Sequence, residues 1–174
     1  TTEIYTLSLH DALPIWHART LIRRAAETPR APEGTRGDLT AAIEQLRRPP
    51  RRRGLIVIIS DFLGEPEWER ALRALSARHE LLAIEVIDPV ELDLPDVGAV
   101  VLADPETGRQ REVVTTALLR REFAAAAAEH RSRVAAALRR CGAAHLTLRT
   151  DRDWITEIVR FAVARKQAWS GGGR

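Results

Sequence analysis

Residues 54–64 read Gly-Leu-Ile-Val-Ile-Ile-Ser-Asp-Phe-Leu-Gly. Within this stretch, Leu55–Ile59 is a short, unbroken and mostly β-branched run. A half-solvated strand would alternate apolar and polar residues, so a continuous run suits a central parallel strand covered on both faces. Asp61-Phe62-Leu63-Gly64 reads as the loop that follows, with Gly64 lending it freedom. In open α/β sheets, ligands bind beyond the carboxyl ends of the strands, near a switch in strand order. Ser60 and Asp61 therefore mark the candidate ligand edge.

Downstream, Pro66 suits the first turn of a helix that carries Trp68, Leu72 and Leu75 on one face. Leu81–Ile87 is a second buried-type strand, ended by Asp88-Pro89. Glu85 interrupts it, and either a polar partner or a place near the strand end would account for that. Val97–Ala103 and Arg111–Val114 flank Asp104-Pro105-Glu106-Thr107-Gly108, whose early proline and late glycine signal a β-hairpin. Thr116–Arg140 predicts a long helix with Leu119, Phe123, Ala127, His130, Val134 and Leu138 along one stripe and Gly142 as its stop. His145–Arg149 is a third strand of the buried type. Thr150-Asp151-Arg152-Asp153 resembles a capping box, with Asp in place of Glu or Gln. The helix after it is expected to turn Trp154, Ile155, Ile158, Val159 and Ala162 inward, before a flexible tail over residues 167–174.

Upstream, Pro49-Pro50 ends a helix in which Leu39, Ala42, Ile43 and Leu46 recur at helical spacing, with Asp38 as N-cap. Trp16–Thr28 reads as a short helix, and Pro29, Pro32, Gly34 and Gly37 as a loop. Strands alternating with helices predict an α/β fold of three layers: a mainly parallel sheet flanked by helices, with a β-hairpin insertion. Thr1–Ile15 stands apart. It contains none of the 27 lysines and arginines and has the sole tyrosine, Tyr5. Its string resembles a translated sequencing adapter, so it is set aside as non-native, leaving residues 16–166 as the domain.

Apolar residues make up 45% of the 174-residue chain and charged residues 29%, a globular balance. The basic side chains are arginines except Lys166, and the formal charge is only +3, too small to demand a nucleic-acid partner. Cys141 is the one cysteine, so no intrachain disulfide forms. No apolar run is long enough to span a bilayer. A cytoplasmic location is the expectation, with any anchor lying upstream.

The strings GLIVIISDFLG, LLAIEVIDPVELDLPDVGAVVLADPETG and LRTDRDWITEIVRF together resemble the domain of unknown function 58 family. The ordered set S-D-F, D-P-x-E-x-x-L-P-D-x-G, D-P-E-T-G and R-T-D-x-D-W carries the likeness, over about Trp16 to Lys166. The resemblance implies a von Willebrand factor A-like fold of which this chain is the C-terminal part, incomplete at its N-terminus. It implies an association with MoxR-like AAA ATPases in the assembly or maturation of other proteins. It also implies a divalent-cation edge in the full-length protein, where Mg²⁺ would be held by a D-x-S-x-S motif, a Thr and an Asp. Asp61 matches the last of these. Gly37 stands where the Thr loop aligns, beside Asp38, and D-x-S-x-S does not occur, so no cofactor is expected in this chain.

A binding or scaffold module is therefore the first functional reading. The alternatives are a metal-dependent hydrolase using Asp61 and a basic nucleic-acid binder using Arg47-Arg48 and Arg51-Arg52-Arg53. Neither a phosphate-binding glycine loop nor a Ser–His pairing supports the enzyme. The arginines lack an aromatic platform and read as a solvated helix end. No histidine has metal-ligand spacing, so His130 and His145 read as packed or surface residues, and Cys141 as a small packing residue.

Overall fold

A computed structural model describes residues 19–20, 23–24, 26–29, 37–46, 53–103 and 110–171. Thr1–Ile15, Arg47-Arg48, Pro49-Pro50, Arg51-Arg52 and the Asp104–Gly108 turn lie outside the described residues, as do most of the upstream loop and the last three residues. Of the short helix expected over Trp16–Thr28, the residues described at 19–27 are helical.

The elements follow in the order α1 (Leu39–Leu46), β1 (Leu55–Ser60), α2 (Glu69–Ser76), β2 (Glu80–Ile87), β3 (Ala99–Ala103), β4 (Gln110–Val114), α3 (Ala117–Arg140), β5 (Ala144–Arg149) and α4 (Trp154–Gly171). Single 3₁₀ turns over Pro66–Trp68 and Pro89–Glu91 lead into α2 and out of β2. Strands β1, β2 and β5 form a parallel sheet in that order, while β3 and β4 form a separate antiparallel hairpin. The fold is thus α/β, with a parallel sheet flanked by helices and a hairpin between β2 and α3.

Chain chemistry fixes the helix ends. Asp38 Oδ1 accepts from Ala41 N–H at 2.8 Å, capping α1 as expected. Thr116, extended at φ −70° and ψ 156°, caps α3 by accepting from Leu119 N–H. Gly142 adopts φ +67°. Its N–H donates to Arg139 C=O, and Ala143 N–H donates to Leu138 C=O, the paired bonds of a Schellman stop. The expected capping box is displaced. Asp153, not Thr150, caps α4, accepting from the Ile155 and Thr156 N–H groups and from the Thr156 hydroxyl. Thr150 instead prolongs the β5 pairing, its N–H donating to Ile87 C=O at 3.0 Å.

One face of the sheet is closed. Ile56, Ile58, Leu81 and Ala83 pack with Ile43 of α1, Leu72 and Leu75 of α2, and Val134 and Leu138 of α3. Cys141 is buried among them, as a packing residue should be. Apolar side chains touching in this way supply most of the driving force for folding.

The other face departs from expectation twice. Strand β1 lies at the sheet edge, and Ile59 is 55% exposed, so this strand is not covered on both faces by the described residues. Helix α4 packs on β5, yet Trp154, Ile155 and Val159 are more than half exposed and Ala162 is exposed. They do not face inward. Ile158 is half-buried, in line with expectation, and Phe161 and Arg165 join it; Arg165 pairs with Glu80 of β2.

Candidate functional site

Pairing places Ser60, Glu85 and Thr147 side by side, since Ser60 opposes Glu85 and Glu85 opposes Thr147. This row crosses the sheet close to its carboxyl edge. Glu85 is only 2% exposed. It sits in an apolar strand because its neighbours supply donors. Arg131 Nη1 and His145 Nε2 each lie 2.9 Å from its carboxylate, and Thr147 Oγ1 donates at 3.3 Å. Burial pushes the Glu85 carboxyl up, but the hydrogen bonds and charges of His145 and Arg131 outweigh it and hold the group below its ordinary value.

Arg131 ties three segments together. Its Nη1 also donates to Asp61 C=O at 2.6 Å, and its Nη2 donates to Glu91 at 2.7 Å. Glu91 belongs to the 3₁₀ turn that Asp88 caps through Val90 N–H. Burial raises the Glu91 carboxyl; Arg131 opposes this, while the nearby Asp61 and Asp88 charges reinforce it. A planar guanidinium with a fixed fork of donors suits such a junction.

The β1 loop rests on this junction. Phe62 takes φ 51°, a left-handed conformation that a bulky side chain rarely adopts. Its ring is 2% exposed and meets Trp68 edge-on, centroids 5.3 Å apart. Its carbonyl lies 2.8 Å from His130 Nε2. A carbonyl can only accept, so His130 carries a proton on Nε2. Backbone strain of this kind persists where the surroundings over-determine it. Here His130, Arg131 and the Trp68 contact do so.

Of the residues singled out in the sequence, Ser60 and Asp61 come together. Ser60 Oγ accepts from Phe62 N–H at 3.2 Å and donates to Asp61 Oδ1 at 3.4 Å, and that same oxygen accepts from Leu63 N–H. Asp61 is exposed, and Leu63 beside it is 53% exposed. Asp38 caps α1 instead, and no hydrogen bond or ion pair among the described residues joins it to Ser60 or Asp61. His130 and His145 are half-buried supports of the edge.

A hard cation such as Mg²⁺ needs several oxygen ligands around it. The described residues do not fit one at this edge: Asp61 Oδ1 is engaged by its own loop, and the Glu85 and Glu91 carboxylates are both turned to Arg131, whose positive charge would repel a cation. Among the described residues no group of three or more His, Cys, Asp or Glu side chains could hold a metal ion. Sequence reasoning missed Arg131 and Glu91. The lone Glu85 within an apolar strand was the available signal, since a buried carboxylate requires a partner.

A family described as protein of unknown function DUF58 matches residues 14–133. The chain belongs to the DUF58 family. An uncharacterised protein of Mycobacterium avium is 60% identical over 154 residues, covering 88% of this chain and 91% of that protein. An uncharacterised protein of Mycobacterium tuberculosis is 56% identical over 156 residues, covering 90% of this chain and 49% of that protein. This DUF58 chain thus spans about half the length of its M. tuberculosis relative. An uncharacterised protein in the moxR 3′ region of Paracoccus denitrificans is 40% identical over 68 residues, 38% of this chain and 65% of that one. No solved structure matches the chain. No helix among the described residues is long and apolar enough to cross a membrane.

Proposed function

We propose that this DUF58 chain is a protein-binding module whose Asp61–Gly64 loop docks on a MoxR-like AAA ATPase engaged in assembly or maturation of other proteins. The observation that carries the reading is the loop itself. A strained backbone is locked from below by Arg131 and His130, while Asp61 and Leu63 project into solvent. A fixed loop presenting one apolar and one acidic side chain is pre-organised for binding, because little ordering entropy remains to be lost. The chemistry around it is supportive rather than reactive: Ser60 Oγ bonds to its own loop, and the half-buried His145 bonds to Glu85. The Paracoccus relative from the moxR 3′ region favours an ATPase as the partner. The same reading takes the chain to work in the cytoplasm, where ATP is available.

Immobilised chain should retain the MoxR-type ATPase of its own genome, and Leu63→Asp should weaken retention at least about tenfold, the cost of one lost apolar anchor. Circular dichroism would confirm that the variant stays folded. Retention unchanged by Leu63→Asp, or no retention of the ATPase at all, would overturn the reading.

A further inference from the structure

Two loops leave the carboxyl edge from adjacent strands. Residues 61–64 follow β1, and residues 88–93 follow β2, its parallel neighbour. Arg131 holds both, donating to Asp61 C=O at 2.6 Å and to Glu91 at 2.7 Å. Each loop keeps one ring toward the protein and sends an aliphatic side chain out. Phe62 is buried while Leu63 is 53% exposed; Pro89 is half-buried while Val90 is 55% exposed. Asp88 fixes Val90 by accepting from its N–H at 3.0 Å. Two aliphatic side chains are thus presented from backbones already ordered, which lowers the entropic cost of covering them.

Charge surrounds them with one sign. Residues 60–64 and 87–93 contain four carboxylates and no lysine or arginine. Glu91 is paired with Arg131, whose side chain is only 13% exposed. Asp61, Asp88 and Asp93 are exposed, and none of them forms an ion pair among the described residues. Their field is felt inside the fold: after burial, the Asp61 and Asp88 charges push the Glu91 carboxyl up, against Arg131. This edge is negative on a chain whose formal charge is +3, so charge is sorted over the surface rather than spread evenly.

We propose that Leu63 and Val90 form one bipartite docking surface whose occupant is a cationic polypeptide segment, with aliphatic side chains flanked by Lys or Arg. The inference rests on the reading of residues 61–64 as a protein-docking loop, and it adds a second anchor and the chemistry of the partner. Charge complementarity selects the occupant. An acidic or neutral segment would strip water from Asp61, Asp88 and Asp93 and return nothing, whereas Lys and Arg satisfy them and speed the encounter. A second copy fits less well, because a twofold contact through these loops sets like charges against each other.

Two synthetic peptides of equal length, one of leucine and lysine and one of leucine and glutamate, test this by NMR on the present chain. The Leu–Lys peptide should shift the amides of Leu63, Gly64 and Val90, and the Leu–Glu peptide should not. Leu63→Ser and Val90→Ser should each weaken the Leu–Lys peptide about fivefold or more, the loss of part of one buried aliphatic side chain. Asp61→Asn with Asp88→Asn keeps an acceptor for each loop N–H, and should weaken binding at low salt more than at high salt. Equal shifts from both peptides would overturn the partner's chemistry. Shifts from neither, or shifts centred elsewhere, would show the edge covered or inert and overturn the surface. Shifts at Leu63 and Val90 that grow with the concentration of the chain alone would put a second copy there and overturn it too. The ATPase assay stays separate. Retention of the ATPase that is lost in Leu63→Asp but unchanged in Val90→Ser would sink this inference and leave the loop reading standing. The expected peptide results with no ATPase retained would sink the ATPase and leave the surface.

Discussion

Arg131 is the residue on which the carboxyl edge turns. Burying a carboxylate and a guanidinium costs several kcal/mol per ion in lost hydration, which a pair recovers only with good geometry and further hydrogen bonds. Glu85 has three donors and Arg131 has three acceptors, so both ends are well satisfied. Removing one partner strands the other. Arg131→Met should therefore destabilise the chain by about 3–5 kcal/mol in urea unfolding, whereas a like change at the exposed Arg133–Glu65 pair should cost under about 1 kcal/mol. The same cluster sets an acid response. The Glu85 carboxyl is held low in the fold, so its stabilisation is complete above the unfolded glutamate value of about 4.3 and is lost as pH falls through the folded value. Glu91 is shifted the other way: its contribution is present below about 4.3 and fades as pH rises through its folded value. Glu85→Gln removes only the first effect, so stability should fall less steeply for the variant than for the parent between about pH 5 and 3. Parallel curves would show that Glu85 does not carry the acid response.

The loop after β1 is where an element, rather than a single side chain, decides ligand chemistry. Asp61 stands at a strand end, the position where α/β sheets place ligands, and that much was legible from GLIVIISDFLG. What the loop does with its carboxylate was not. Oδ1 folds back onto Leu63 N–H, and the carboxylates behind it belong to Arg131. Calorimetric titration of this chain with Mg²⁺ or Mn²⁺ should accordingly show weak binding or none; micromolar affinity abolished by Asp61→Ala would refute this and revive the metal-dependent reading. Legibility divides along the same line throughout. Leu55–Ser60 was bounded correctly because a β-branched run carries its own signal, and the α3 stripe from Leu119 to Leu138 because period and packing coincide. The orientation of α4 was not readable. Its apolar residues are numerous enough to define more than one face, and their spacing does not say which of these meets β5. Arg131 was hidden for a related reason, as one arginine among many on a helix rich in them, recognisable only once β2 lies beneath it.

For the molecule as a whole, the core among the described residues is drawn from α1, β1, α2, β2 and α3, with Phe62, Trp68 and Cys141 from the segments that join them. Thr1–Ile15 differs from the rest in composition, with no lysine or arginine in a chain that has 27. A segment foreign to the pattern of its domain is expected to add little to the domain's stability. Deleting it should move the thermal midpoint by no more than about 2–4 °C, the equivalent of about 1 kcal/mol in a domain of this size. Scanning calorimetry of the two chains decides the matter, since it reads midpoint and enthalpy together. A loss of many degrees, or a fall in unfolding enthalpy beyond the share of fifteen residues, would mean that the segment is built into the sheet after all. In that case the place to look would be the β1 edge, with which no strand pairs among the described residues, and hydrogen exchange of the Val57 and Ile59 amides before and after deletion would show it directly.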